Sequence, residues 1–551
     1  MARFNVQKSN LLRRRKFMTN AFAGAGAAAG HGTLWGKTAW ADPAACDGST
    51  DLALVNGHFL TMDPTNPVVS AVAIRNGRFS EIGHSQALGP CSQTINLHGA
   101  TVIPGLIDSH VHYIRCGLNP GHEARIIETA TSIADLQRKI TGRIAQLGLA
   151  AGEFVTCIDG WNINGLAEGR LPTLTELDAA APRNPVYLST TGPGGAVTNT
   201  LGKAFFANSS PPVTVNADGT LNSALGLAAL QAGQTNASML QGTREVMDFA
   251  ASLGMTMFHD HGGIGFGTGR PDDLQGYQYA LDLWREKQLR VRVRPWFFSG
   301  NDATCMEVAE ARIVNDYNMV GDDVWRQLGI GERVCTSTTN LENEPTWLFA
   351  AQHGWMVTQH SLVAAEVAFH ISAYQMIDAQ VGPGVIGPLR WSLCHVNPIT
   401  DAQIQAVKAL GIGVNIQGTP YTSVAGATPA GPPFRKLLDA GIPCGGGSDG
   451  TNVGAFNPWL MMFYMTTAKN NAGTVTNDPT QIITRMEALS MYTLGSAYLS
   501  FDDDKLGSIE VGKLADLAVL SDDPLTVSDA NFKTLKSTLT LQAGQVVCSV
   551  T

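Results

Sequence analysis

Two histidines one residue apart, His110 and His112, close the stretch TVIPGLIDSHVH at 101–112. On a β-strand alternate side chains share a face, so the pair aims at one point. Imidazole is the commonest protein ligand of divalent metals. Asp108 stands two residues earlier on the same face. Taken alone, an H-x-H pair is a weak signal, more often the polar end of a strand with no ligand. The rest of the chain decides between the two readings. WMVTQH ends in His360, RWSLCH in His395 and PCGGGSD in Asp449, in a chain of only 13 histidines. His360 or His395 singly reads as a hydrogen-bonded core histidine. Together these strand ends read as a centre for a divalent cation.

The elements that must position these groups are legible from pattern. Between about 102 and 499, short apolar runs alternate with helical periodicity. Runs with strand character are FVTCIDG, NPVYLST, MTMFHDH, LRVRVRPWFF, RQLGIGE, WMVTQHS, RWSLCHV, GVNIQG and PCGGGSD. SIADLQRKITGRIAQLG, TREVMDFAASLG, LQGYQYALDLWREKQ, TDAQIQAVKALG and FRKLLDAG read as helices. Strand-then-helix repetition implies a parallel sheet. The length suits an α/β fold, a (β/α)8 TIM barrel over 102–500, whose functional groups sit at the C-terminal ends of strands. A doubly wound open sheet is the alternative, weakened because no G-x-G-x-x-G follows the first strand. Both chain ends, 42–101 and 501–551, have β character, and together they form the expected small β-sandwich. Asn-Gly at 56–57 and again at 76–77 marks a hairpin in each place.

The chain has 551 residues, 44% of them hydrophobic, and a net charge of −9. That acidity argues against a nucleic-acid partner. No apolar run in the mature part is long enough to span a bilayer, so no stable membrane insertion is expected after leader cleavage. At the N-terminus Arg13, Arg14, Arg15, Lys16 and Phe17 precede an Ala/Gly-rich stretch, and Ala39-Trp40-Ala41 follows. This resembles a twin-arginine signal over 1–41, cut after Ala41, which leads to the periplasm or the medium. A disordered basic tail is the alternative. The nine cysteines show no C-x-x-C spacing, hence no zinc ribbon and no disulfide framework. A Cys46–Cys91 bridge remains open.

The chain resembles the amidohydrolase superfamily, in its family 3 branch of N-substituted formamide deformylase-like proteins. PGLIDSHVH (104–112), GRLPTLTELDAAAPRNPVYLST (169–190), LGMTMFHDHG (253–262), GWMVTQH (354–360), LLDAGIPCGGGSD (437–449) and LGSIEVGKLADLAVL (506–520) carry the likeness. The resemblance implies a barrel beside a β domain made by both ends. It implies that His110, His112 and Asp449 hold one cation and that His360 and His395 hold a second. It gives Asp449 the role of taking a proton from water and passing it to the leaving group. A divalent cation lowers the pKa of bound water from 15.7 to about 7, and this donor set favours Zn2+, as one ion or two. Where two-metal members bridge the ions with a carboxylated lysine, this chain has no Lys between Lys287 and Lys408. Glu332 in RQLGIGER takes that place as candidate bridge, unless it pairs with Arg326 or Arg333. SLVAAE after His360, Cys394 before His395 and the glycines of 192–197 also depart from the pattern. They make the pocket less polar than the family's.

Trp161, Asn162, His259, Asp260 and Tyr421 follow strand ends or lie in a loop, and are the candidate substrate contacts. The reading is a metal-dependent hydrolase of a non-peptide C–N bond in a small molecule: amide, N-acyl, carbamate or cyclic amide. Esters, lactones or organophosphates are the alternative on the same site. A non-catalytic periplasmic binding or regulatory protein on a degenerate barrel is the alternative of another class. A homo-oligomer is compatible with all three.

Overall fold

The computed structural model describes residues 52–84, 93–191, 195–262, 277–299, 305–334, 344–418, 431–451 and 453–549. The leader 1–41, Cys46, Cys91 and Tyr421 lie outside the described residues. No described helix is long and apolar enough to cross a membrane.

The fold is α/β. The strands that matter for the site are β1 (Leu106–Val111), β2 (Met255–Asp260), β3 (Arg292–Pro295), β4 (Gly329–Val334), β5 (Met356–Ser361), β6 (Ser392–His395), β7 (Gly413–Gln417) and β8 (Cys444–Gly447). The ladders β1–β2–β3 and β4–β5–β6–β7–β8 are parallel throughout. A short continuation of β3, Phe297–Ser299, pairs with β4 and joins the two sets. Parallel neighbours need a crossover, and helices supply it. Ala364–Val381 lies between β5 and β6, Asp401–Leu410 between β6 and β7, and Phe434–Asp439 between β7 and β8. Their limits follow from local chemistry. Thr400 and Gln403 form a capping box at the start of Asp401–Leu410, and Gly411, at φ 66°, ends it.

The end of β8 meets the end of β1. Asp449 N–H donates to the His110 carbonyl at 2.8 Å, and His112 N–H donates to that of Gly450 at 2.6 Å. This approach explains the glycine run at 445–447. A Cβ on Gly447 would lie 2.7 Å from that of His110, and one on Gly445 equally close to Ser109. Only glycine allows both.

Two expectations need correction. FVTCIDG and NPVYLST form strands, but in a separate five-stranded sheet with His122–Glu123, Ala196–Thr198 and Thr220–Leu221. The two chain ends do associate: their strands share one eight-stranded sheet, and residues of both ends, Leu54, Val72 and Phe79 with Ile509, Leu517 and Leu541, pack in one core. Thr101–Pro104 is the reason: it pairs with Leu52–Leu60 on one side and with Leu517–Leu520 on the other. Lastly, Asn56-Gly57 is no hairpin. Leu52–Leu60 is one strand whose register slips between Val55 and Phe59, with Asn56 at φ 55°. Such a bulge uses the same residue types as a turn. Asn76-Gly77 does connect two antiparallel strands, Val68–Arg75 and Arg78–Gly83.

Two buried arginines on β3 tie the C-terminal segment to the parallel strands. Arg292 grips Asp516 through Nε and Nη2 at 2.7 and 2.8 Å. Arg294 does the same to Asp502, at 2.8 and 3.1 Å, and Arg326 reaches Asp502 at 2.7 Å.

Candidate metal centre

His110, His112, Glu332, His360, His395 and Asp449 converge. His110 lies on β1 and His112 just after it, Glu332 on β4, His360 on β5, His395 at the end of β6, and Asp449 two residues beyond β8. His395 and Asp449 adopt left-handed backbone at φ 68° and 53°. That conformation costs free energy in a non-glycine residue and persists where the surroundings enforce it.

Glu332 stands between two pairs of imidazoles. Its Oε2 lies 2.8 Å from His360 Nδ1 and 3.4 Å from His395 Nε2. Towards the other pair, Oε2 is 3.5 Å from His110 Nε2 and Oε1 is 3.7 Å from His112 Nε2. Asp449 Oδ1 adds 3.2 Å to His112 Nε2 and 3.6 Å to His110 Nε2. Ligands about 2.05 Å from a tetrahedral zinc stand about 3.3 Å from one another. The spacings of 3.2–3.7 Å around His110, His112 and Asp449 fit that figure.

The donors also need a ligand. His110 is fully buried, and neither ring nitrogen has a hydrogen-bond partner among the described residues. A buried polar group left so is costly. Burial pushes the Glu332 and Asp449 carboxyls up, and the surrounding imidazoles more than reverse this, holding both well below the usual carboxylate range. The His110, His112 and Asp449 side of Glu332 therefore suits a divalent cation, while on the other side His360 Nδ1 stands at hydrogen-bond distance from both Glu332 Oε2, at 2.8 Å, and His395 Nε2, at 2.9 Å. Arg326 is taken by Asp502, and no ion pair joins Arg333 to Glu332 among the described residues. That removes the competing reading of Glu332 as an arginine partner.

Several residues brace the donors without facing the cations. His112 Nδ1–H donates to the Gly262 carbonyl at 2.8 Å, which leaves Nε2 bare for a metal. Asp260 holds that carbonyl in place, accepting from Gly262 N–H at 2.9 Å, Tyr277 O–H at 2.8 Å and Ile114 N–H at 2.8 Å. Asp260 is thus a brace rather than the expected substrate contact. Asp260→Ala should weaken metal affinity about 10–100-fold, as losses behind a ligand do; zinc titration against a competing chelator measures it.

Asp108, read as sharing the histidines' face, instead accepts from His110 N–H at 2.9 Å and Ser448 N–H at 3.1 Å, pinning β1 to β8. Burial pushes its carboxyl up to about 7. Gln417 Oε1 accepts from His395 N–H at 3.1 Å. His261 stacks on His110 with centroids 3.9 Å apart, and Trp296 stacks on His261 at 5.5 Å.

The other expected substrate contacts make no hydrogen bond to the donor residues among the described residues. His259 is buried among Asp502, Arg294 and Arg326, where burial pushes its imidazole down to about 3. Trp161 and Asn162 belong to the five-stranded-sheet side of the molecule. Trp161 is packed in that core. Asn162 caps the turn Ile163–Gly165 and donates to the Thr191 carbonyl at 2.5 Å. Sequence reasoning missed Gln417, Gly262 and the bracing use of Asp260. A brace has no spacing signature, since its partners are backbone groups brought in from other strands.

A sequence profile described as "Amidohydrolase family" matches residues 93–548. This chain belongs to the amidohydrolase family. It is accordingly a hydrolase acting on carbon–nitrogen bonds. N-substituted formamide deformylase of Arthrobacter pascens is 23% identical over 542 residues, covering 88% of this amidohydrolase and 96% of that protein. Protein LONG AFTER FAR-RED 3 of Arabidopsis thaliana is 37% identical over 142 residues, 25% of this chain and only 23% of that protein. Among solved structures, an uncharacterized metal-dependent hydrolase from Pyrococcus horikoshii aligns with TM-score 0.56 and 19% identity. The alignment covers 87% of this chain and 99% of that one. An atrazine chlorohydrolase from Arthrobacter aurescens, complexed with zinc, aligns with TM-score 0.50 and 14% identity over 90% and 95% of the two chains.

Proposed function

We propose that this amidohydrolase cleaves a non-peptide C–N bond of a small molecule: an amide, N-acyl compound, carbamate or cyclic amide. The observation that carries the reading is the Glu332 carboxylate set between His110/His112 and His360/His395, with Asp449 beside the first pair. His110, His112 and Asp449 would hold one cation and His360 and His395 the other, with Glu332 shared. Zn2+ is the proposed ion, supported by the nitrogen and oxygen donor set and by the zinc in the atrazine chlorohydrolase structure. A bound divalent cation polarises a carbonyl and makes water a nucleophile at neutral pH.

Asp449 takes the proton from the attacking water and returns it to the leaving nitrogen. Glu332 keeps the two halves of the centre at a fixed separation. His261 and Trp296 cover the buried flank of His110. Cys394, where the family pattern has an acid, is fully buried and makes its contact with Thr358 Oγ1 at 3.2 Å. Burial pushes its thiol well above the usual range, so it stays neutral.

The proposed frame is a (β/α)8 barrel of β1–β8 over about 102–500. The parallel order of the strands and the hydrogen bonds between the ends of β8 and β1 support it. Residues 42–101 and 501–551 are proposed as the accompanying β domain, and 1–41 as the twin-arginine leader directing the enzyme out of the cytoplasm. Secreted protein that still began at Met1 would contradict that leader.

Chelation should abolish hydrolysis of an amide panel, and Zn2+ should restore it. Full activity in demetallated protein would overturn the proposal. Turnover of esters and lactones in place of every amide in that panel would shift the substrate class.

A further inference from the structure

A cavity of about 330 Å³ lies away from the metal centre, between the segment that follows the helix Pro458–Thr467 and the short helix Asp529–Phe532. Lys469, Lys533, Phe463 and Asn471 line it, and Gly473 leaves room on one wall. The volume falls in the range of small-molecule sites, about 300–1,000 Å³.

The charges set it apart. Lys533 is only 9% exposed. Its Nζ donates to the Asn471 carbonyl at 2.7 Å and stands 5.2 Å from the Phe463 ring centroid. An ammonium carries three N–H donors, so one contact leaves capacity for an anion. Neither Lys469 nor Lys533 makes an ion pair among the described residues. The acid in the lining, Asp529, is held by Arg485 at 2.8 Å. Asp135, whose charge also acts on Lys533, is engaged by Arg138 at 3.0 Å and Lys139 at 3.9 Å. A buried cation lacking its counter-ion is unfavourable. The contrast is the cavity of about 450 Å³ lined by Arg435. There the arginine already pairs with Asp439 at 3.2 Å and Glu487 at 2.6 Å, both in the same lining.

We propose that the Lys469–Lys533 cavity binds a small organic carboxylate. The carboxylate sits between the two ammonium groups and its apolar part against Phe463. This site is independent of the catalytic reading, since it shares no residue with the metal centre.

Calorimetric titration of the zinc-loaded protein with benzoate tests it, using wild type, Lys469→Gln and Lys533→Gln. Lys469 is the more exposed of the two, so its variant retains the fold, checked by an unchanged melting temperature. One benzoate per chain is expected, with affinity reduced about tenfold or more in each variant, the size of a charge-assisted hydrogen bond. Hydrolytic rates without benzoate should stay at the wild-type level. No binding at millimolar benzoate would overturn the proposal. So would affinity unchanged in both variants, the result if benzoate sits on the catalytic cations instead.

Discussion

Asp449→Asn should retain its metal and lose about a thousandfold in kcat, within the 10²–10⁴ that a positioned acid–base group contributes. The substitution changes little else. Asparagine has the same shape and is among the residues that tolerate the left-handed backbone found here, at φ 53°. Its amide oxygen can still lie near His112 Nε2, which stands 3.2 Å from Asp449 Oδ1. The carboxamide cannot accept the proton of the attacking water. Steady-state kinetics with metal analysis on the same sample separate the two effects. A rate within tenfold of wild type at full metal occupancy would remove Asp449 from proton transfer.

Asp502→Ala should destabilise the protein by about 3–5 kcal/mol, the range for breaking a buried ion pair by removing one partner. Asp502 and Arg294 are both fully buried. The alanine would leave Arg294 without its carboxylate partner and take one from Arg326 as well. The pH dependence follows the same geometry. Burial pushes the Asp502 carboxyl up, but the Arg294 and Arg326 charges more than reverse this and hold it well below the ordinary value. A group depressed in the folded state contributes stability above its unfolded pKa, about 3.9, and loses it as pH falls towards the folded value. Wild type should therefore lose this contribution on acidification below about pH 4, while Asp502→Ala lacks it at every pH. Urea melts at pH 7 and pH 3 measure the difference; equal midpoints for the two proteins at pH 7 would contradict it.

The donor side chains were legible because their chemistry is in their type. Histidines and an aspartate at the ends of apolar strands have few other uses as a set, and the structure brings all of them together. Glu332 was readable only through the family resemblance, which implies a bridging lysine that this chain lacks. Which sheet a strand joins was not legible. FVTCIDG and MTMFHDH are similar apolar runs, and nothing local tells that only the second lies beside β1. Asn56-Gly57 shows the same limit: a turn and a bulge call for the same left-handed backbone, and only the partner strands Thr101–Pro104 and Val68–Arg75 decide between them. Asp260 and His259, adjacent on β2, looked equally suited to touching substrate. One braces the His112 loop and the other is buried near the Arg294–Asp502 pair, 208 positions apart in sequence. Long-range pairings of that kind leave no trace in local pattern.

Metal content per chain, measured by plasma mass spectrometry on wild type and Glu332→Gln, bears most directly on the shared carboxylate. Two equivalents in wild type, falling to one or fewer in Glu332→Gln with a parallel loss of activity, is the expected result. Equal metal content and equal rates in the two proteins would contradict a centre organised around Glu332.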